Sequence, residues 1–202
     1  SIAAAVADGA AGADRGSAGG SWGEATGVAS SVSAGSYGLA GGASAAVSGG
    51  YDNAASADYA SVAGGSENEA SGTYASVTGG ALNIASVNYA SVSGGSGSEA
   101  SGEFSSVTGG ILNHASGDYS HVSGGHENEA SGEYASIAAG DSGDASGMYA
   151  SVTGGWNNFA TGDWSAVHGG WNNVASGSYS TIAAGARSTA SGQTSAIHGG
   201  YS

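Results

Sequence analysis

Apolar and small polar positions return along this chain with one fixed beat. The segment S-V-T-G-G-A-L-N-I-A-S-V-N-Y-A, residues 76–90, is followed at once by S-V-S-G-G-S-G-S-E-A-S-G-E-F-S, residues 91–105. Units opening with S-V-x-G-G or a close variant begin at residues 46, 61, 76, 91, 106, 121, 136, 151, 166, 181 and 196, always fifteen apart. Self-similarity this strict marks a repeat architecture. With the first residue of each unit as position 1, the phase extends back through Ser31-Val32-Ser33-Ala34-Gly35 and the degenerate Gly16-Ser17-Ala18-Gly19-Gly20 to Ser1-Ile2. The chain reads as a single repeat domain over residues 1–202, degenerate over 1–45 and regular over 46–202.

The columns of this repeat predict the fold. Position 10 is alanine in all thirteen units, and position 5 is glycine in thirteen of fourteen, so both must face tight places. Position 2 is Val or Ile in every unit except at Ser17. The predicted core is therefore one row of Val47, Val62, Val77, Val92, Val107, Val122, Ile137, Val152, Val167 and Ile182, and another of Ala70, Ala85, Ala100, Ala115, Ala130 and Ala145. No 3.6-residue period runs through the unit, and glycine at this frequency costs about 1 kcal/mol each in a helix. Short strands and tight turns remain. In a strand such as Tyr74-Ala75-Ser76-Val77-Thr78, Ala75 and Val77 share one face while Tyr74, Ser76 and Thr78 share the other. The G-G step and the A-S-G step supply positive φ or close backbone approach at the two corners. Stacked at about 4.8 Å per coil, the units form an all-β, single parallel β-solenoid of about 13 coils, a rod roughly 65 Å long. A core of Ala and Val buries little apolar area against about 1 to 2 kcal/mol of backbone entropy per residue. Association of several copies is the expected supplement.

Composition narrows the function classes. The 202 residues include 41 glycines, no proline and no cysteine, so no disulfide or thiolate site exists. Arg15 and Arg187 are the only basic residues besides histidine, against 16 carboxylates and a formal charge of -14, which leaves nothing to neutralise phosphates. Nucleic acid is excluded as a partner, docking on anionic lipid is disfavoured, and no apolar run approaches the roughly 18 residues needed to insert in a membrane. The chain opens at Ser1 without a basic flank, and reads as a processed product or fragment. No G-x-S-x-G elbow and no basic residue beside the glycine steps suggest catalysis or phosphate binding, so neither an enzyme nor a cofactor is expected.

Several outward columns carry chemistry. Carboxylates recur at position 9 (Glu69, Glu99, Glu129) and position 13 (Glu103, Asp118, Glu133, Asp163). The position 9 acids fall mostly in alternate units, which keeps like charges from stacking, and no calcium-loop motif is present. They read as solvated faces. The histidines at 114, 121, 126, 168 and 198 match no zinc spacing, so no metal site is expected. Asparagine at position 8 (Asn53, Asn68, Asn83, Asn113, Asn128, Asn158, Asn173) closes a turn by side-chain to backbone bonding or forms an amide ladder. Position 14 holds Tyr59, Tyr74, Tyr89, Phe104, Tyr119, Tyr134, Tyr149, Trp164 and Tyr179, read as a stacked ladder or an interface stripe. Trp156, Phe159, Trp164 and Trp171 gather in adjacent coils, either as packing between protomers or as a surface that stacks on sugar rings or anchors a partner.

The motif G-G-x-x-N-x-A-S-G-x-Y-A-S-V-x-G-G, present as residues 64–80, resembles the head repeats of trimeric autotransporter adhesins, the YadA-like heads. The likeness covers nearly the whole chain and is clearest over residues 46–202. It implies a left-handed parallel β-roll, three rolls side by side as a homotrimer, an extracellular place at a bacterial cell surface, and adhesion to host matrix protein or other cells. The heptad stalk and membrane anchor of the complete adhesins have no counterpart in these residues, which suggests a head fragment or a free-standing fibre protein. Two rival expectations stand beside this one. The first is a self-assembling filament subunit, a head-to-tail homopolymer whose open ladder edges pair. The second is an ice-binding solenoid, for which Thr78, Thr108 and Thr153 alternate too often with Ser, Ala and His.

Overall fold

The structure is a computed structural model that describes residues 16–201. It is a parallel β-solenoid: two-residue strands joined by tight turns, with each coil contributing one strand to each of two sheets. Two compact units divide between Ser98 and Glu99.

In residues 16–98 the first sheet is ordered Ser17–Ala18, Ser31–Val32, Ala46–Val47, Ser61–Val62, Ser76–Val77, Ser91–Val92. Its companion is ordered Glu24–Ala25, Leu39–Ala40, Ala54–Ala55, Glu69–Ala70, Ile84–Ala85. In residues 99–201 the same two sheets run from Ser106–Val107 to Ala196–Ile197 and from Glu99–Ala100 to Thr189–Ala190. Pairing is parallel throughout, with Val62 beside Val77 in the first unit and Ile137 beside Val152 in the second. Each side chain therefore lies against its equivalent one coil away, and the fifteen-residue period in sequence becomes a set of columns within each unit. Ladder bonds such as Ser76 N–H to Ala90 O at 3.0 Å tie successive coils.

Both predicted core rows are buried. The Val and Ile row from Val47 to Ile182 and the alanines from Ala70 to Ala145 lie inside, at no more than 2% exposure. β-Branched Val suits a pleated strand, while Ala at position 10 keeps the coil narrow. Two more columns complete the interior: Ala or Ser at position 15, such as Ala75 and Ala135, and Asn at position 8.

Two expectations are corrected. The strand predicted over Tyr74-Ala75-Ser76-Val77-Thr78 is only Ser76–Val77, and Tyr74 sits in a left-handed turn at φ 60°. The inward and outward sides of Ala75, Val77 and Tyr74 are as expected, but a closed coil of fifteen residues must spend most of them on corners. At the amino-terminal end of the described region, Ala18 pairs with Val32 and Ser17 with Ser31. The valine row is thus continued by Ala18 rather than by Ser17. That coil is one residue short between strand and corner, and strict phase counting from the regular units misplaces it. The Ser1-Ile2 end of the phase lies outside the described residues.

Candidate binding surface

The inner columns decide which residues are left over for a surface. Asn53 Nδ2 donates to Gly49 O at 2.8 Å and to Gly65 O at 3.0 Å, while its Oδ1 accepts the Asn68 backbone N–H at 3.0 Å. Asn158 repeats the arrangement in the second unit, with Gly154 O at 2.8 Å, Gly170 O at 3.0 Å and the N–H of Asn173 at 3.0 Å. The column closes the turn and, at two steps, also forms an amide ladder, with Asn128 Nδ2 donating to Asn113 Oδ1 and Asn173 Nδ2 to Asn158 Oδ1, each at 3.1 Å. A buried amide has two donors and two acceptor sites, and here three of the four meet backbone groups of the corner, of which Gly65 O also accepts the Tyr51 N–H at 2.9 Å. Burial of Asn as complete as that of Val is the consequence.

The glycine pair divides its labour. Gly80 has φ +90° and a Cβ placed there would lie 2.2 Å from Gly95 O, whereas a Cβ on Gly79 would meet nothing within 4 Å. Only the second glycine of the pair is demanded by backbone geometry. At the A-S-G corner the constraint is proximity alone: a Cβ on Gly132 would lie 2.1 Å from Gly147 O.

The position 14 aromatics form the stacked ladder that their phase suggests. Tyr59, Tyr74 and Tyr89 stack with ring centroids 4.7 and 5.1 Å apart and planes within 4°. In the second unit Phe104, Tyr119, Tyr134, Tyr149, Trp164 and Tyr179 stack at 4.7 to 5.2 Å. All sit at positive φ, a conformation that costs a non-glycine residue about 1 to 2 kcal/mol and that each stacked pair offsets by about 0.5 to 1.5 kcal/mol. Ring faces inside the ladder are covered by neighbouring rings, and the edges face solvent. The Tyr134 phenol is held above its ordinary range of about 10, first by desolvation, then by repulsion from Tyr149, Tyr119 and Glu133.

The four aromatics predicted to gather separate into three columns. Trp156 and Trp171, both at position 6, stack with centroids 5.9 Å apart, and Arg187 lies over Trp171 with Cζ 4.6 Å from the ring centroid. Trp164 belongs to the position 14 ladder between Tyr149 and Tyr179. Phe159 stands on the second sheet, in register with Asp144 and Val174. The column of the tryptophan pair also brings in Asp141, which the sequence did not single out, and His126, weighed from sequence only as a metal ligand. Asp141 and His126 precede Trp156 in the same position 6 column, each bridged to the next by backbone pairing. Their shared position 6 is the signal in the sequence that links them to the tryptophan pair.

Polar columns take on unexpected roles. Position 13 aspartates accept backbone N–H groups from the preceding coil: Asp58 Oδ1 from Ala43 at 2.8 Å, Asp118 Oδ1 from Glu103 at 2.9 Å and Asp163 Oδ1 from Met148 at 3.1 Å. These acids are turn caps as well as solvated groups. The spacing of position 9 acids breaks at Asp144, which lies directly beside Glu129. His121 bridges Ser106 and Ser123 at 2.6 and 2.8 Å, and His114 contacts Ser101 at 2.7 Å. Among the described residues no group of three or more His, Cys, Asp or Glu is placed to hold a metal ion, and no helix is long and apolar enough to cross a membrane.

No known family model matches the chain, and no curated protein matches it with significance.

Proposed function

We propose that this chain is a non-enzymatic, extracellular structural and adhesive solenoid, working in the manner of a bacterial adhesin head and binding host matrix or other cells as a homo-oligomer. The observation that carries the reading is the division between inner and outer columns. Val, Ala, Asn and the second glycine of each pair meet the backbone's demands from inside, so residues at position 6 range from Ser66 and Ala81 to His126, Asp141 and Trp156 without altering the coil. A scaffold of this kind presents varied side chains at regular spacing, which suits recognition of extended or repeated targets. The exposed Trp156 and half-buried Trp171 supply the apolar anchor such contacts use.

The test is retention of the purified chain on immobilised matrix proteins and on intact cells, with solution mass followed by light scattering. Trp156→Ala is expected to weaken retention at least tenfold at unchanged mass. Retention equal to that of the parent would remove the patch from the account, and fibres that lengthen with protein concentration would place self-assembly, rather than adhesion, at the centre of the function.

A further inference from the structure

Rings inside the position 14 ladder cannot serve as platforms for a flat ligand. Within the position 14 ladder each interior ring has neighbours against both faces at 4.7 to 5.2 Å. Trp171 is likewise enclosed, between Trp156 and the guanidinium of Arg187. Trp156 differs. One of its faces is covered by Trp171, while its neighbour on the other side of the column is Asp141, a much shorter side chain. The outer part of the indole therefore overhangs a polar step, and the residue stays 48% exposed.

That step is built rather than incidental. Asp141 Oδ1 accepts the Ser142 hydroxyl at 2.8 Å and Oδ2 lies 3.4 Å from His126 Nδ1, so the carboxylate is oriented from two sides. It is nonetheless half exposed, with lone pairs left on both oxygens. His126 Nε2 is 3.8 Å from Glu127 Oε1 and the imidazole is similarly exposed. On the other flank, Asn157 Nδ2 donates to Asn172 Oδ1 at 2.8 Å, which leaves the Asn157 carbonyl oxygen and one amide hydrogen for a ligand.

We infer that Trp156 and Asp141 form a subsite for a neutral sugar ring. The apolar face of a pyranose would lie on the overhanging indole, and two neighbouring hydroxyls would donate to the two Asp141 oxygens, with His126 and Asn157 at the margins. Charge selects the class of glycan. With Glu127 and Asp141 at the step and a chain charge of -14, a sialylated or sulfated sugar meets repulsion, whereas a neutral one supplies donors to a site rich in acceptors. This assignment rests on the adhesive reading above and names its ligand chemistry.

The experiment uses the full chain on an array of immobilised neutral, sialylated and sulfated oligosaccharides, followed by titration of the best neutral binder with tryptophan fluorescence as readout. Binding is expected among the neutral oligosaccharides, at least tenfold weaker in Trp156→Ala and in Asp141→Ala. Both changes are compatible with the coil, because Ala81 and Ala186 occupy the same position 6. Trp156→Tyr, which restores a flat ring, should recover most of the affinity, and Tyr134→Asn should leave it unchanged. Binding confined to anionic glycans, binding indifferent to Trp156→Ala, or no glycan binding at all would overturn the assignment. Parallel retention on matrix proteins separates the two claims: glycan binding absent with Trp156-dependent retention intact overturns the sugar subsite alone, and loss of both overturns the adhesive reading as well.

Discussion

Each unit of this molecule carries two ladders with the same period, one of asparagines inside and one of aromatic rings outside, and they are held for different reasons. Each asparagine joins three backbone groups at one corner, as Asn128 does with Gly124 O, Gly140 O and the N–H of Gly143. The rings are held by stacking on one another, as Tyr134 is between Tyr119 and Tyr149. They occupy left-handed turn positions that the corner would have in any case, and stacking offsets the conformational cost. The inner ladder follows from closing a narrow coil. The outer one is a choice among side chains that the coil accepts, as Ala29, Ser44 and Thr194 at the same position and the same positive φ demonstrate.

The largest expected effect comes from breaking the inner ladder. Asn128→Leu takes the side-chain partner from the Gly124 carbonyl and the Gly143 amide and one of two donors from Gly140 O, which keeps the His126 N–H at 2.9 Å; the change should cost about 3 kcal/mol or more, read from chemical denaturation. Gly80→Ala comes next, because a left-handed φ and a blocked Cβ act together; a loss of about 2 kcal/mol is expected. Tyr134→Ala removes two stacking partners at 4.8 and 4.7 Å and should cost about 1 to 2 kcal/mol without loss of the fold by circular dichroism. Alkaline titration probes the same ring. Its pKa is raised in the folded state, so folding holds the proton more tightly than the unfolded chain does; the contribution is complete below pH 10 and is lost as pH rises through the folded value. Stability should therefore begin to fall above about pH 10, and less so in Tyr134→Phe. Smallest of all is Gly79→Ala, expected within about 0.5 kcal/mol of the parent, since nothing lies near its Cβ and its φ is ordinary. A large loss there would mean that the first glycine of each pair has a constraint outside the single chain.

How much of this was legible follows from the columns. Val77 and Ala85 declared themselves because burial in a coil repeats exactly as often as the coil does, and phase counting is then a structural measurement. The aromatic ladder was legible for the same reason. Conformation at the corners was less so: nothing in the propensity of tyrosine announces φ 60° at Tyr74, and an alternating pattern of sides is shared by a strand and by this turn. The Ser17 to Ala18 slip was hidden because Gly19-Gly20 stays in phase while the strand before it does not. For the candidate surface, the coil phase alone separates Trp164 at position 14 from Trp156 and Trp171 at position 6; proximity in sequence had merged them. Asp141 went unremarked and His126 was weighed only as a metal ligand because, taken singly, each looks like an ordinary surface residue. Their meaning comes from sharing a column with Trp156.

The most direct test of the account sets one inner change against three outer ones by comparing the thermal unfolding of Asn128→Leu with that of the triple variant Tyr119→Asn, Tyr134→Asn, Tyr149→Asn. Asparagine tolerates the left-handed turn, so the triple variant removes stacking without adding backbone strain. The account predicts that the single inner substitution lowers the melting temperature more than the three outer ones combined. A triple variant that unfolds first would contradict it, and would make the exposed aromatic ladder, rather than the buried amides, the element that holds the solenoid together.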